Sequence, residues 1–287
     1  MGIFLLLCSS VFHQMESMFL KNYKKKYGDG GLMFNASMSL FALVYFVLSE
    51  RGGFYFPTNL WLYGIIGGAM YATGFYSVFV AFGCGSFALT SLILSFTSIF
   101  SVGFGIFYLK EQAGPITYLA IIICFVSLFL MNYKKGGKSE ENTVTKKWIL
   151  CMFFAVFSNG MLGVLSRLQQ IRFENQCTNE YYIISLSISF MVLLIAGMVK
   201  ERHNLSGISR AGIFTGAIAG MLNGAKNFLS TQSYLYIPIM IATPMGSGMR
   251  IVLTFMISFF VYKERFSKQQ LVGAGLSAVA IILLGIG

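Results

Sequence analysis

A chain of 287 residues with 56% apolar and only 11% charged side chains, where a soluble domain carries roughly 25% charged, reads as a membrane protein before any segment is inspected. Its net charge of +11 marks topology and excludes nucleic acid as the partner, because 19 of the 21 Lys and Arg residues fall in short hydrophilic gaps between apolar runs. Four of the five cysteines lie inside those runs as small hydrophobes, which excludes a disulfide framework.

About 20 apolar residues cross a hydrocarbon core. Ten stretches qualify, and the sequence predicts helices over 2–20, 31–49, 59–81, 86–108, 115–133, 148–166, 181–199, 211–235, 239–262 and 267–286. The first lacks a basic leader, and polar His13, Gln14 and Glu16 stand where a cleavage site belongs, so it reads as a retained helix. His13 and Glu16 share a face and form a candidate coupling pair for protons, although Glu16 lies close enough to the predicted helix end to snorkel or meet Lys21. Asn35 and Ser39 on the second helix are weaker candidates. On the third, Gly64, Gly67 and Gly68 permit close packing, while Tyr71 and Phe75 are available to the apolar part of a ligand. Thr90, Thr97 and Ser101 give the fourth helix an uncharged polar wall.

The longest hydrophilic gap, Lys134 to Lys147, divides the chain near its middle. Its Gly137-Lys138-Ser139 resembles the end of a phosphate-binding loop, but the first glycine and the preceding strand are missing, so no ATPase is implied. Beyond the gap, Asn159 on the sixth helix matches His13 on the first under a shift of 146 positions.

The eighth and ninth helices carry the chemistry. Lys226 and Arg250 sit near their middles, where a charge costs about 2.5–3.5 kcal/mol on insertion scales and needs a partner, a cavity or a substrate. Asn223, Lys226, Asn227, Ser230 and Tyr234 form one helical stripe, and Thr243, Ser247, Arg250 and Thr254 form another. Lipid cannot satisfy such stripes, so they are expected to wall a polar cavity. Two cations stand against Glu16, the one acid inside a predicted span, which leaves a positive surplus suited to an anion. The candidate substrate-binding residues are therefore Arg250, Lys226, Asn223, Asn227, Ser247, Thr243, Ser230, Thr97 and Tyr71, with Glu16 and His13 for coupling. Gly216-x-x-x-Gly220 is a packing device, and Gly246 and Gly248 read the same way. No metal constellation, cofactor motif or hydrolytic carboxylate pair is visible, so an enzyme is not expected.

Gaps after odd-numbered helices hold fifteen Lys and Arg, and gaps after even-numbered ones hold Arg51, Lys110, Arg167 and Arg172, which predicts cytoplasmic Lys-rich gaps and both termini outside. Sliding the chain by 153 positions pairs Gly67 with Gly220, Phe75 with Phe228, Thr90 with Thr243, and Lys110-Glu111 with Lys263-Glu264. A repeat of five crossings must be inverted in the membrane.

The segment VYKERFSKQQLVGAGLSAVAIILLGI, from Val261 to Ile286, resembles the end of an EamA-type domain of the drug/metabolite transporter superfamily. YLKEQAGPITYLAIIICFVSLFLMN, from Tyr108 to Asn132, looks like a degenerate first copy that keeps Glu111 and lacks the following basic residue and glycines. The resemblance implies an all-α polytopic membrane protein with ten transmembrane helices as two inverted five-helix repeats, at 1–133 and 148–287, joined by a basic linker at 134–147. It implies a central cavity and secondary transport, and it makes Glu111 and Glu264 interfacial residues bracketing the last two helices of each half. The expected cargo is a small polar metabolite bearing an anionic group, moved by a proton gradient or by exchange across a plasma (inner) membrane, with monomer and homodimer both open. Two other readings stand beside it: a non-transporting or lipid-handling subunit whose buried charges only hold helices together, and an exporter of cationic or amphipathic compounds through Glu16.

Overall fold

Lipid offers no partner to an open backbone amide, so apolar segments close their hydrogen bonds within helices. In the structure, a computed structural model that describes residues 1–27, 31–85, 87–132, 145–201, 205–260 and 267–286, all regular elements among the described residues are helical. They are α1 (Gly2–Tyr27), α2 (Gly31–Ser49), α3 (Thr58–Cys84), α4 (Phe87–Leu94), α5 (Ser98–Gly103), α6 (Pro115–Asn132), α7 (Lys146–Arg172), α8 (Thr178–Lys200), α9 (Leu205–Ser233), α10 (Ile239–Phe260) and α11 (Lys268–Ile286). Seven of the described helices are long and apolar enough to cross a membrane.

Two expectations change. Several helices overrun the apolar spans that were predicted for them. Lys24, Lys25 and Lys26 extend α1 by a polar turn, and α7 continues to Arg172. Lysine is a good helix former, and cations in a last turn complement the helix dipole. Glu16 is consequently a mid-helix residue, 5% exposed, and not a snorkelling one. The second change is in the predicted helix 86–108, which is broken into α4, a 3₁₀ turn at Ser95–Thr97, α5 and a π-turn at Phe104–Tyr108. Hydroxyls here compete for backbone carbonyls: Ser95 Oγ donates to Ser91 O at 3.3 Å and Ser98 Oγ to Ser95 O at 2.9 Å. After the π-turn, Lys110 takes a left-handed φ of 53°, and the Glu111 N–H returns to Gly105 O at 3.0 Å.

Packing partners exchange between the halves. α1 lies on α9 as α3 lies on α7, and α2 lies on α9 as α3 lies on α8. α2 pairs with α8, and α6 with α11. Small residues permit these approaches: a Cβ on Gly216 would stand 2.8 Å from Ser37 Cβ of α2, and one on Gly68 would stand 2.8 Å from Ser185 O of α8. The apolar core divides into a larger body built on α2, α3, α8 and parts of α1, α7 and α9, and a smaller one built on α6, α10, α11, Val102 and Leu6. α1 contributes to both.

Acids placed just past one helix reach the first turn of another, two of them taking its backbone amides and one a side-chain amide. Glu201, following α8, accepts from Leu32 N at 2.9 Å and Met33 N at 3.1 Å at the start of α2. Glu50, following α2, accepts from Asn179 Nδ2 at 2.8 Å in the first turn of α8. α2 and α8 therefore run antiparallel. Glu111 does the same for α10, accepting from Ile239 N at 3.1 Å and Met240 N at 2.9 Å. It thus joins the two halves, beyond the bracketing role expected of it; Glu264 lies outside the described residues. Helix N-termini favour such carboxylates through both the open amides and the dipole.

Candidate functional site

Between the two apolar bodies lies a cavity of about 170 Å³, walled by α1, α2 through Met38, α3, α4, α5 and the turn joining them, α7, α8, α9 and α10. Ten of the sequence-derived candidates line it: Arg250, Lys226, Asn223, Asn227, Thr243, Ser230, Thr97, Tyr71, Glu16 and His13. Ser247 does not face the cavity; it is fully buried and supports Arg250 from behind. Phe75, Ser101 and Asn159 also line it, as expected. Thr90 does not, because it faces Trp148, whose indole N–H approaches its Oγ1 at 3.4 Å. Asn35 and Ser39 do not line it either; inside α2, Asn35 Nδ2 donates to Gly31 O at 2.7 Å and Ser39 Oγ to Asn35 O at 3.0 Å.

The two cations of the cavity, both half-buried, differ in their surroundings. Lys226 Nζ lies 2.5 Å from Glu16 Oε2, with side chains 14% and 6% exposed. It also lies 3.0 Å from His13 Nδ1. An ammonium has only protons to offer, so His13 Nδ1 accepts and the ring proton sits on Nε2 while Lys226 is charged. Asn223 Nδ2 donates to the other Glu16 oxygen at 2.9 Å, and Asn227 Nδ2 donates to Asn223 Oδ1 at 2.9 Å. The carboxylate, ammonium, imidazole and two amides thus form one network that fastens α1 to α9. Ser9 Oγ strengthens it by donating to Lys226 O at 2.8 Å.

Arg250 has no such network. Its Nη2 donates to Ser247 Oγ at 2.7 Å, and among the described residues no carboxylate reaches ion-pair distance of the guanidinium. Ser247 in turn donates to Ser95 O at 3.3 Å, in the 3₁₀ turn of the broken segment. The backbone break therefore supplies a carbonyl that orients the serine holding the arginine. Gln14 Nε2 donates to Arg250 O at 3.0 Å and Thr254 Oγ1 at 2.7 Å, tying α10 to α1. Thr243 spends its hydroxyl on Ile239 O at 2.9 Å. Tyr71 presents a buried aromatic face, packed against Phe75 with ring centroids 5.2 Å apart.

Sequence reasoning missed a third polar feature of the same wall. Ser166, Tyr182 and Thr231, from α7, α8 and α9, bring their hydroxyls together and line the cavity. Thr231 follows Asn227 by one helical turn and was legible as part of that stripe. Ser166 fell on the predicted end of its helix, and nothing in the sequence set Tyr182 apart from the other aromatic residues. Among the described residues no cluster of three His, Cys, Asp or Glu is placed to hold a metal.

The sequence model of the EamA-like transporter family matches residues 1–133 and 146–286. A solved structure, described only as the crystal structure of a protein, superposes with a TM-score of 0.70 over 99% of this chain and 95% of that chain, at 12% identity. That likeness concerns the fold alone. No curated protein sequence matches the chain.

Proposed function

This chain belongs to the EamA-like transporter family, and from that premise we propose that it is a secondary transporter which carries a small, polar, anion-bearing metabolite through its central cavity by alternating access. As a family member it is a multi-pass membrane transporter. The finer topology is ten transmembrane helices in two inverted halves, 1–133 and 148–287, with the Lys-rich ends cytoplasmic in a plasma (inner) membrane and 134–147 as the linker. The exchanged packing partners and the antiparallel α2–α8 pair support that arrangement.

One observation carries the cargo class: Arg250 faces the cavity with a serine as its hydrogen-bond partner, while Lys226 is already neutralised by Glu16. A buried cation without a counter-charge is costly, and an anionic ligand supplies what the protein omits. Arg250 is the primary anion contact in this reading. Asn227, Ser230, Thr243 and Thr97 bound the polar space, and Tyr71 packs the apolar part. A cationic cargo is disfavoured because the acid it needs, Glu16, is engaged by Lys226.

Coupling falls to Glu16 and His13. A proton taken by Glu16 removes the charge that pairs with Lys226, and one taken by His13 Nδ1 removes an acceptor, so either loosens α1 from α9. Exchange of one anion for another is the alternative driving force.

The test is thermal stabilisation of the purified protein across a panel of anionic metabolites. Wild type should melt higher as ligand concentration rises, by mass action on the folded state. Arg250→Ala should fold and need about 10–100-fold more ligand for the same rise. Stabilisation by cations alone, or an equal anion response in Arg250→Ala, would overturn the reading.

A further inference from the structure

The cavity wall opposite in character to Arg250 is the hydroxyl cluster. Thr231 Oγ1 lies 2.6 Å from Tyr182 Oη and 3.0 Å from Ser166 Oγ, and Ser166 Oγ lies 3.0 Å from Tyr182 Oη. The three residues are 1%, 3% and 4% exposed, yet each contributes to the cavity lining. The Tyr182 ring is held by stacking on Phe46, with centroids 4.3 Å apart and planes 11° from parallel. Gln170 Nε2 fixes the α9 backbone by donating to Thr231 O at 3.0 Å.

Proton counting decides what this cluster offers a ligand. A hydroxyl has one proton and two lone pairs. Three mutual contacts among three hydroxyls consume all three protons and leave one lone pair on each oxygen. The closed triangle therefore presents acceptors and no donors. The lone pairs left over on the triangle suit a ligand group bearing O–H or N–H, which takes the place of cavity water there. An anionic group finds no spare donor on the closed triangle, whereas Arg250 offers both charge and N–H donors.

We infer that Ser166, Tyr182 and Thr231 form a donor-reading subsite, so that the cargo is bifunctional, with an anionic group held at Arg250 and a hydroxyl or amino group held at the triangle. This rests on the anion reading above and narrows it. Interhelix adhesion alone would give these hydroxyls no influence on which anions bind.

The experiment uses matched probes that differ by one hydroxyl: lactate against propionate, 3-hydroxybutyrate against butyrate, and glycerol 3-phosphate against propyl phosphate. Binding to purified full-length protein is measured by thermal stabilisation and titration calorimetry for wild type, Thr231→Val, Ser166→Ala and Arg250→Ala. Wild type should favour the hydroxylated member of at least one pair about tenfold, the size of one net hydrogen bond. Thr231→Val should bring that ratio within about twofold, because the threonine hydroxyl is exchanged for a methyl group of similar volume while Arg250 still binds the anion. Ser166→Ala provides the same reading if the valine variant melts too low to titrate. Arg250-dependent binding without preference within any pair, or a preference unchanged in both hydroxyl variants, overturns the subsite and leaves the anion reading standing. If no member of any pair binds, or binding ignores Arg250→Ala, the anion reading falls and the subsite falls with it.

Discussion

Lys226 and Arg250 are both basic residues placed deep in apolar helices, and both line the same cavity, yet they are held in opposite ways. Lys226 belongs to α9 beside the larger apolar body, where Glu16 closes on it at 2.5 Å, His13 accepts from it, and Asn223 and Asn227 extend the network behind Glu16. Arg250 belongs to α10 beside the smaller body, where Ser247 is its hydrogen-bond partner. The first charge is part of the joint between α1 and α9; the second has a neutral hydroxyl as its hydrogen-bond partner and no carboxylate at ion-pair distance among the described residues. The meaning of a buried cation is set by its partner more than by its depth, and the sequence position of the two residues does not distinguish them.

The contrast is open to attack from both sides. The largest effect should come from Glu16→Gln, which strands the Lys226 ammonium in a buried site and is expected to destabilise the protein by about 3–5 kcal/mol in denaturant unfolding. The double variant Glu16→Gln with Lys226→Met should recover most of that loss, since no charge is then orphaned. A single variant as stable as wild type would mean the pair does not hold α1 to α9. Arg250→Ala strands no partner, so its melting midpoint without ligand should stay close to that of wild type. Its anion affinity should fall about 10–100-fold, the equivalent of about 1.5–3 kcal/mol for a hydrogen bond to a charged group. A large drop in stability without ligand would place Arg250 alongside Lys226 as a structural charge.

Ser247→Ala probes the support behind the guanidinium and should weaken anion binding by a few fold, in line with about 0.5–1.5 kcal/mol for one hydrogen bond. The smallest effect belongs to Glu50, outside the cavity. The Gly52 N–H and then Asn179 hold its carboxyl below the usual value of 4.5. Its contribution to stability is therefore present above that value and disappears as the pH falls through the lowered one. The melting difference between wild type and Glu50→Gln should be measurable at neutral pH and close in acid. A difference that instead grew in acid would contradict the cap.

Much of the site was legible in the sequence because polar residues in a membrane helix must share a face, and one face of α9 gave Asn223, Lys226, Asn227 and Ser230 directly. What the sequence did not reveal was pairing. Glu16 appeared to lie near a helix end because hydropathy loses the helix where lysines begin, whereas the backbone continues through them to Tyr27. The break in the fourth helix was hidden for a related reason. Ser95, Thr97 and Ser98 lie in an apolar run, and hydropathy cannot register hydroxyls that compete for backbone carbonyls. The hydroxyl triangle needed three helices to be placed side by side, which spacing along any one of them does not disclose. Glu111 was recognised as the mark of a turn, but its reach to α10 depends on the left-handed residue before it.

The carboxylate caps bear on how such a chain is made. Leu32 and Met33 are reached early in synthesis, whereas Glu201, which satisfies their amides, lies 169 and 168 residues further on. Ile239 and Met240 depend in the same way on Glu111, 128 and 129 residues earlier. Each half of the molecule thus holds the missing terminus of the other, and a half inserted alone has helix starts that only interfacial water can serve. Maturation in the bilayer is accordingly a mutual closure of two incomplete pieces.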